Sequence, residues 1–249
     1  MKLFKAWAIA IAAAVLCWQS ARADIVVTSI TRSVLATAGP FGTPDSTSSP
    51  LPGMFLASAL SMGGAPPESV DADASQGSST PIGPGPSMAG AGAAGGSVSS
   101  PSGSYSLTGD SFFDVFFTVT IDGPFLFDAD VSWSGAFPAL VAHAFVTLEE
   151  DVPADPALSG TTLASVSAGP GLPSADSDTV IVMLTAGTPY QLRAVAHVVG
   201  GGVPGTFAIG ADFGFSLTAV PEANAWLLTA PIALGLAIAA WRRRQPVAG

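Results

Sequence analysis

The run Ser111-Phe112-Phe113-Asp114-Val115-Phe116-Phe117-Thr118-Val119-Thr120-Ile121 decides the fold. Phe113, Val115, Phe117, Val119 and Ile121 fall at every second position, the period of a strand whose side chains alternate between two faces. Asp122-Gly123-Pro124 then supplies a turn, since glycine accepts unusual backbone angles and proline presets one of them. Beyond it, Phe125, Phe127, Ala129, Val131 and Trp133 share one face, with Asp128, Asp130 and Ser132 opposite.

The same alternation recurs on either side. Leu140, Ala142, Ala144, Val146 and Leu148 give another strand ahead of Glu149-Glu150-Asp151, and residues 162–168 give a weaker one. Residues 179–184 and 190–199 flank Thr185-Ala186-Gly187-Thr188-Pro189 as a hairpin, with Asp176 and Asp178 in the loop before it. Phe207, Ile209, Ala211, Phe213, Phe215 and Leu217 make a last strand, and residues 24–35, rich in Val, Ile and Thr, are expected to pair with the same sheet. Short strands punctuated by turns predict an all-β fold, an antiparallel β-sandwich or jelly-roll-like domain over 105–219 joined by the strand of 24–35.

Residues 36–104 between them are dominated by Gly, Ala, Ser and Pro and contain no Lys, Arg or His. With few large apolar groups to bury, this segment reads either as an extended loop or as edge strands at Met54–Met62 and Ser69–Ser79.

The two ends follow a different logic. Lys2 and Lys5 precede an uncharged apolar run over 6–18, and Ala21-Arg22-Ala23 places small residues at the two positions a signal peptidase reads. Residues 1–23 are therefore expected to be a cleavable signal peptide. The single cysteine, Cys17, lies inside it, so disulfides and thiolate chemistry are not expected in the mature protein. At the other end, 223–241 is nineteen residues without a charge, followed by Arg242-Arg243-Arg244. At about 1.5 Å per residue such a helix covers roughly 28 Å, close to a hydrocarbon core. The arginines act as a membrane stop and keep their side cytoplasmic, which puts the preceding chain outside.

The order Val220-Pro221-Glu222, then Trp226 in a Leu/Ala/Gly-rich helix, then the arginine cluster resembles the PEP-CTERM sorting signal over residues 220–245. Ala223 stands where that motif usually has a second proline, a departure that bears on processing more than on anchoring. The resemblance implies an exported exosortase substrate. It would be held in the inner membrane by its tail, processed by an exosortase-like enzyme and associated with exopolysaccharide and biofilm.

Charge narrows the function classes. Residues 24–220 hold seventeen acidic side chains against Arg32 and Arg193, a formal balance of −15. Nucleic-acid binding needs basic surface to displace counterions, so no nucleic-acid partner is expected.

Three motifs invite chemistry. Gly109-Asp110-Ser111 matches the nucleophile block of GDS-type esterases, yet neither His143 nor His197 has the aspartate three residues earlier that such an enzyme uses; Leu140 and Ala194 stand there. Gly90-Ala91-Gly92-Ala93-Ala94-Gly95 matches the dinucleotide-binding glycine pattern without the apolar strand before it or the helix after it that would let amides cradle a pyrophosphate. Asp122, Asp128 and Asp130 around one turn are weak Ca²⁺ candidates, offering hard oxygens but not the spacing of a calcium loop. No catalytic residue and no cofactor are expected. Phe112, Phe116 and Phe145, opposite the presumed core residues, would either stack on sugar rings or pack under another layer, with His143 beside Phe145. The expectation is an exported, non-catalytic protein of the cell surface or extracellular matrix. Its alternatives are a carbohydrate-binding or Ca²⁺-dependent adhesive module, or a permanently anchored single-pass protein.

Overall fold

Leu107, Gly109, Ser111, Phe113, Val115, Phe117 and Val119 are all buried, and the residues between them are not. That alternation makes 106–119 a strand with one dry face. The structure, a computed structural model, describes residues 23–39, 42–64, 66–102, 105–135, 140–150, 160–202 and 204–221. Within them the protein is all-β, with twelve strands. They are β1 (Ile25–Gly39), β2 (Asp45–Ser49), β3 (Met54–Gly63), β4 (Ser69–Ser79), β5 (Ser87–Ser100), β6 (Ser106–Val119), β7 (Gly123–Ser134), β8 (Leu140–Glu150), β9 (Thr161–Ala168), β10 (Ala175–Leu184), β11 (Tyr190–Gly201) and β12 (Gly205–Ala219).

Two six-stranded antiparallel sheets result, consistent with a β-sandwich. The first runs β2-β1-β6-β11-β8-β9 and the second β10-β7-β12-β5-β4-β3. Their inner faces meet through aromatic side chains. Phe113 of β6 and Phe215 of β12 lie with ring centres 4.8 Å apart, within the range favoured by tilted aromatic pairs. Phe117, Phe125, Phe127, Leu148, Leu192 and Leu217 are fully buried in the same core.

The low-complexity segment contributes four strands. Met54–Gly63 is an edge strand, whereas Ser69–Ser79 lies one position further in and β5 sits in the interior of the second sheet. The inner face of β5 explains its composition. A Cβ on Gly90 would come within 2.7 Å of the Phe215 ring, and one on Gly92 within 2.6 Å of Phe213 and 2.2 Å of Ser111 Oγ. The small residues of one strand make room for the large rings of the next.

The hairpin expected of residues 179–184 and 190–199 does not form, because β10 lies in the second sheet and β11 in the first, so residues 185–189 carry the chain from one sheet to the other. Several boundaries also differ from those read in the sequence. β6 ends at Val119, so Ile121 lies beyond it and is 38% exposed rather than inside. Asp176 and Asp178 belong to β10, not to a loop; Asp176 Oδ2 accepts the Ser167 amide of β9, 3.1 Å away. The signal residues 1–22 with Ala21, Glu222 of the sorting motif, the helix expected over 223–241 and Arg242-Arg243-Arg244 lie outside the described residues. Ala23 packs against the core edge, and Val220 and Pro221 follow β12. Among the described residues no helix is long and apolar enough to cross a membrane.

Candidate functional site

β6, β11 and β8 run side by side, and their registers align the outward residues into rows across the first sheet. Asp110, His197 and His143 form one row. Phe112, Val195 and Phe145 form the next, then Asp114, Arg193 and Thr147, then Phe116, Gln191 and Glu149. All of them point away from the core, because their neighbours Phe113, Val115, Ala144, Val146, Ala194 and Ala196 point into it.

Polar contacts hold the rows together. Asp110 Oδ1 is bonded to His197 Nδ1 across the β6–β11 pair. The His143 and His197 rings are 5.0 Å apart at their centres and tilted by 50°, and His143 stacks on Phe145 at 6.3 Å. One step along, Asp114 accepts a 2.7 Å hydrogen bond from Gln191 Nε2 and pairs with Arg193 at 3.5 Å. The Arg193 guanidinium lies 6.0 Å from the centre of the Phe112 ring. Phe112, Phe116 and Phe145 are half-buried by these neighbours, neither under a second layer nor fully exposed.

The two imidazoles are tuned in opposite directions. The Asp110 carboxylate holds the His197 pKa above its ordinary value, with burial opposing it. Burial, reinforced by the charge on His197, holds His143 below its own. Sequence reading placed both histidines on polar faces but could not bring them together, because only the β8–β11 register makes them neighbours.

Gly109-Asp110-Ser111 is divided by the sheet. Asp110 joins the outer row, while Ser111 points inward, is 0% exposed and leaves its hydroxyl without a hydrogen-bond partner. The serine and both histidines are on opposite faces, so no imidazole is placed to take the Ser111 proton. The glycines of the dinucleotide-like pattern lie along β5 with no helix after them, and serve the packing described above.

The carboxylates considered for Ca²⁺ are spread out. Asp122 accepts the Ala186 amide at 2.6 Å, at the turn before β7. Asp128 and Asp130 share the outer face of β7, where Asp128 accepts the Thr179 hydroxyl at 2.6 Å. Among the described residues no three histidine or carboxylate side chains are arranged to hold a metal ion. No family model, curated protein or solved structure matches the chain.

Proposed function

We propose that this is an exported, non-catalytic protein of the cell surface or extracellular matrix that holds polysaccharide on the outer face of β6, β11 and β8. The observation that carries this reading is the interleaving on that face. Half-exposed rings of Phe112 and Phe145 lie between a row of Asp110, His197 and His143 and a row of Asp114, Arg193 and Thr147, and Phe116 lies beyond them in line with Gln191 and Glu149. Sugar rings present flat apolar faces edged by hydroxyls, so a ligand of that class needs aromatic platforms beside hydrogen-bonding groups. The domain is read as a jelly-roll-like β-sandwich with a C-terminal transmembrane helix over 223–241.

Delivery rests on the tail. Val220-Pro221-Glu222, the apolar stretch and the three arginines support export followed by anchoring, with an exosortase-like enzyme as the processing partner. Mass spectrometry of the C-terminus from cells tests this step: loss of Arg242-Arg243-Arg244 is expected, and an intact tail leaves a permanently anchored protein.

Retention of the full chain on exopolysaccharide from the producing cells tests the face itself. Phe112→Ala with Phe116→Ala is expected to lower retention at least tenfold while the far-ultraviolet circular dichroism stays that of a β protein. Unchanged retention overturns the reading. Loss of retention with chelator alone points instead to adhesion through Ca²⁺.

A further inference from the structure

β3 is an edge strand that nothing in its own sequence protects. It pairs with β4 through ten consecutive residues without a bulge, and it contains neither a charge nor a proline. Natural edge strands are usually blunted by lysine, proline, bulges or a covering element, because their unpaired N–H and C=O groups otherwise template another strand. Four of its five outward side chains are apolar as well, Ser58 being the exception: Met54 is 85% exposed, Leu56 84%, Leu60 58% and Met62 67%.

The order of these residues is the informative part. Met54, Leu56, Ser58, Leu60 and Met62 read the same in both directions. A two-fold axis through Ser58 would set Met54 opposite Met62 of a second copy, Leu56 opposite Leu60, and Ser58 opposite itself. That is the self-complementarity an isologous interface requires, each residue meeting its counterpart through one symmetric patch.

The backbone agrees. The Leu60 amide donates to Asp45 Oδ2 of β2 at 3.0 Å and not to β4. In an antiparallel strand, residues of one parity direct both backbone groups to the same side. Met54, Leu56, Ser58, Leu60 and Met62 therefore present their N–H and C=O groups on the open edge. Asp45 covers one of those groups with an exposed carboxylate that water can solvate in its place.

Charge favours a second copy as the occupant. The exported part carries −15, so two copies repel each other over acidic faces such as that of Asp128, Asp130 and Asp212. At β3 they meet through uncharged side chains, and Asp71 and Asp73 stay one strand back on β4. We propose that β3 pairs antiparallel with β3 of a second copy about an axis at Ser58, joining two six-stranded sheets into one of twelve. Main-chain hydrogen bonds supply the affinity of such strand addition, and the Leu and Met pairs fix its register.

Disulfide trapping in the full chain carrying Cys17→Ser tests the pairing. With Ser58→Cys the two thiols face each other across the axis, where paired Cα atoms lie about 5.5 Å apart, within disulfide reach. Ser75→Cys is the control. Ser75 pairs with Ser58 from β4, so its symmetry mate lies three strand spacings away, about 14 Å, too far to bridge. Rapid covalent dimer with Ser58→Cys and little with Ser75→Cys is the expected result. Equal cross-linking of both, or of neither, overturns the proposal. Ser58→Lys, which sets two ammonium groups against each other on an exposed position, is expected to weaken self-association in analytical ultracentrifugation at least tenfold without changing the circular dichroism. Association through the tail, or through any other face, would not respond to residue 58, and an unchanged mass distribution in that variant also overturns it.

Discussion

The Arg32 guanidinium lies 5.0 Å from the centre of the Phe55 ring, buried to 1% exposure between β1 and the start of β3. Among the described residues no carboxylate pairs with it. Its Nη1 donates to the Gly53 carbonyl at 2.8 Å and its Nη2 to the Leu51 carbonyl, and burial lowers its pKa. A buried cation on an aromatic face and two carbonyls therefore ties residues 51–53 to the first sheet.

Arg32→Ala removes that tie and the ring contact; the Leu51 carbonyl loses its donor, while the Gly53 carbonyl keeps the Thr80 amide at 3.2 Å, so the variant is expected to cost about 2 kcal/mol in chemical denaturation. Arg32→Lys is expected to recover little of the loss, because one ammonium on a flexible stem does not reproduce a planar fork aimed at both acceptors. Stability equal to wild type in the alanine variant would show that the tie carries no net energy.

Gly92 tests the packing of β5. A methyl group there would lie 2.2 Å from Ser111 Oγ and 2.6 Å from the Phe213 ring, well inside contact distance. Gly92→Ala is expected to destabilise by about 1–3 kcal/mol, the usual cost of overpacking. Gly83→Ala has open space around it and is expected to be close to neutral. The comparison is read from the two thermal midpoints.

The same position shows why part of the fold was hidden in the sequence. β6 and β7 announce themselves because Phe113, Val115, Phe125 and Phe127 carry their own bulk on alternate positions. β5 carries none at Gly90, Gly92 and Gly96; the volume that fills its inner face comes from Phe213 and Phe215 of β12 and Leu107 of β6. Local alternation cannot register a strand whose core residues are supplied by its neighbours. The start of β10 was missed for a related reason, since Asp176 at an inner position is satisfied by the Ser167 amide on another strand. In the candidate site, the outward rings and both histidines could be read from the alternation. The joining of Asp110, His197 and His143 could not, because register is a long-range property.

Ser111 separates a packing role from a chemical one. Its hydroxyl is fully buried, unpartnered and pressed toward the Gly92 backbone. An unmet hydroxyl carries a desolvation cost that alanine does not, so Ser111→Ala is expected to raise stability by about 1 kcal/mol. If the protein shows any esterase activity, the same variant is expected to leave it unchanged, because no histidine lies on the serine's face. Lost activity with retained stability would restore the serine as a nucleophile.

The pair Asp110 and His197 makes stability depend on pH, and His143 works against it. His197 has a folded pKa above its ordinary 6.5 because it bonds Asp110. The stabilisation it brings is complete below that value and is lost as pH rises through the raised midpoint. His143, pushed below 6.5 chiefly by burial, contributes in the other sense. Its share is present above 6.5 and is lost as pH falls through the lowered midpoint. Asp110→Asn removes the first contribution and also the attraction that Asp110 exerts on His143, both of which favour the protonated rings, so its deficit against wild type is expected to be larger at about pH 5 than at about pH 8. The His197 imidazole midpoint in that variant should drop, followed by nuclear magnetic resonance of the ring protons. His197→Gln removes the positive charge that helps to hold His143 down, and should move the His143 midpoint up. If the two imidazoles titrate together and Asp110→Asn shifts neither, the outer row does not exist as a coupled unit. The rows built on the same register would then lose their basis as well.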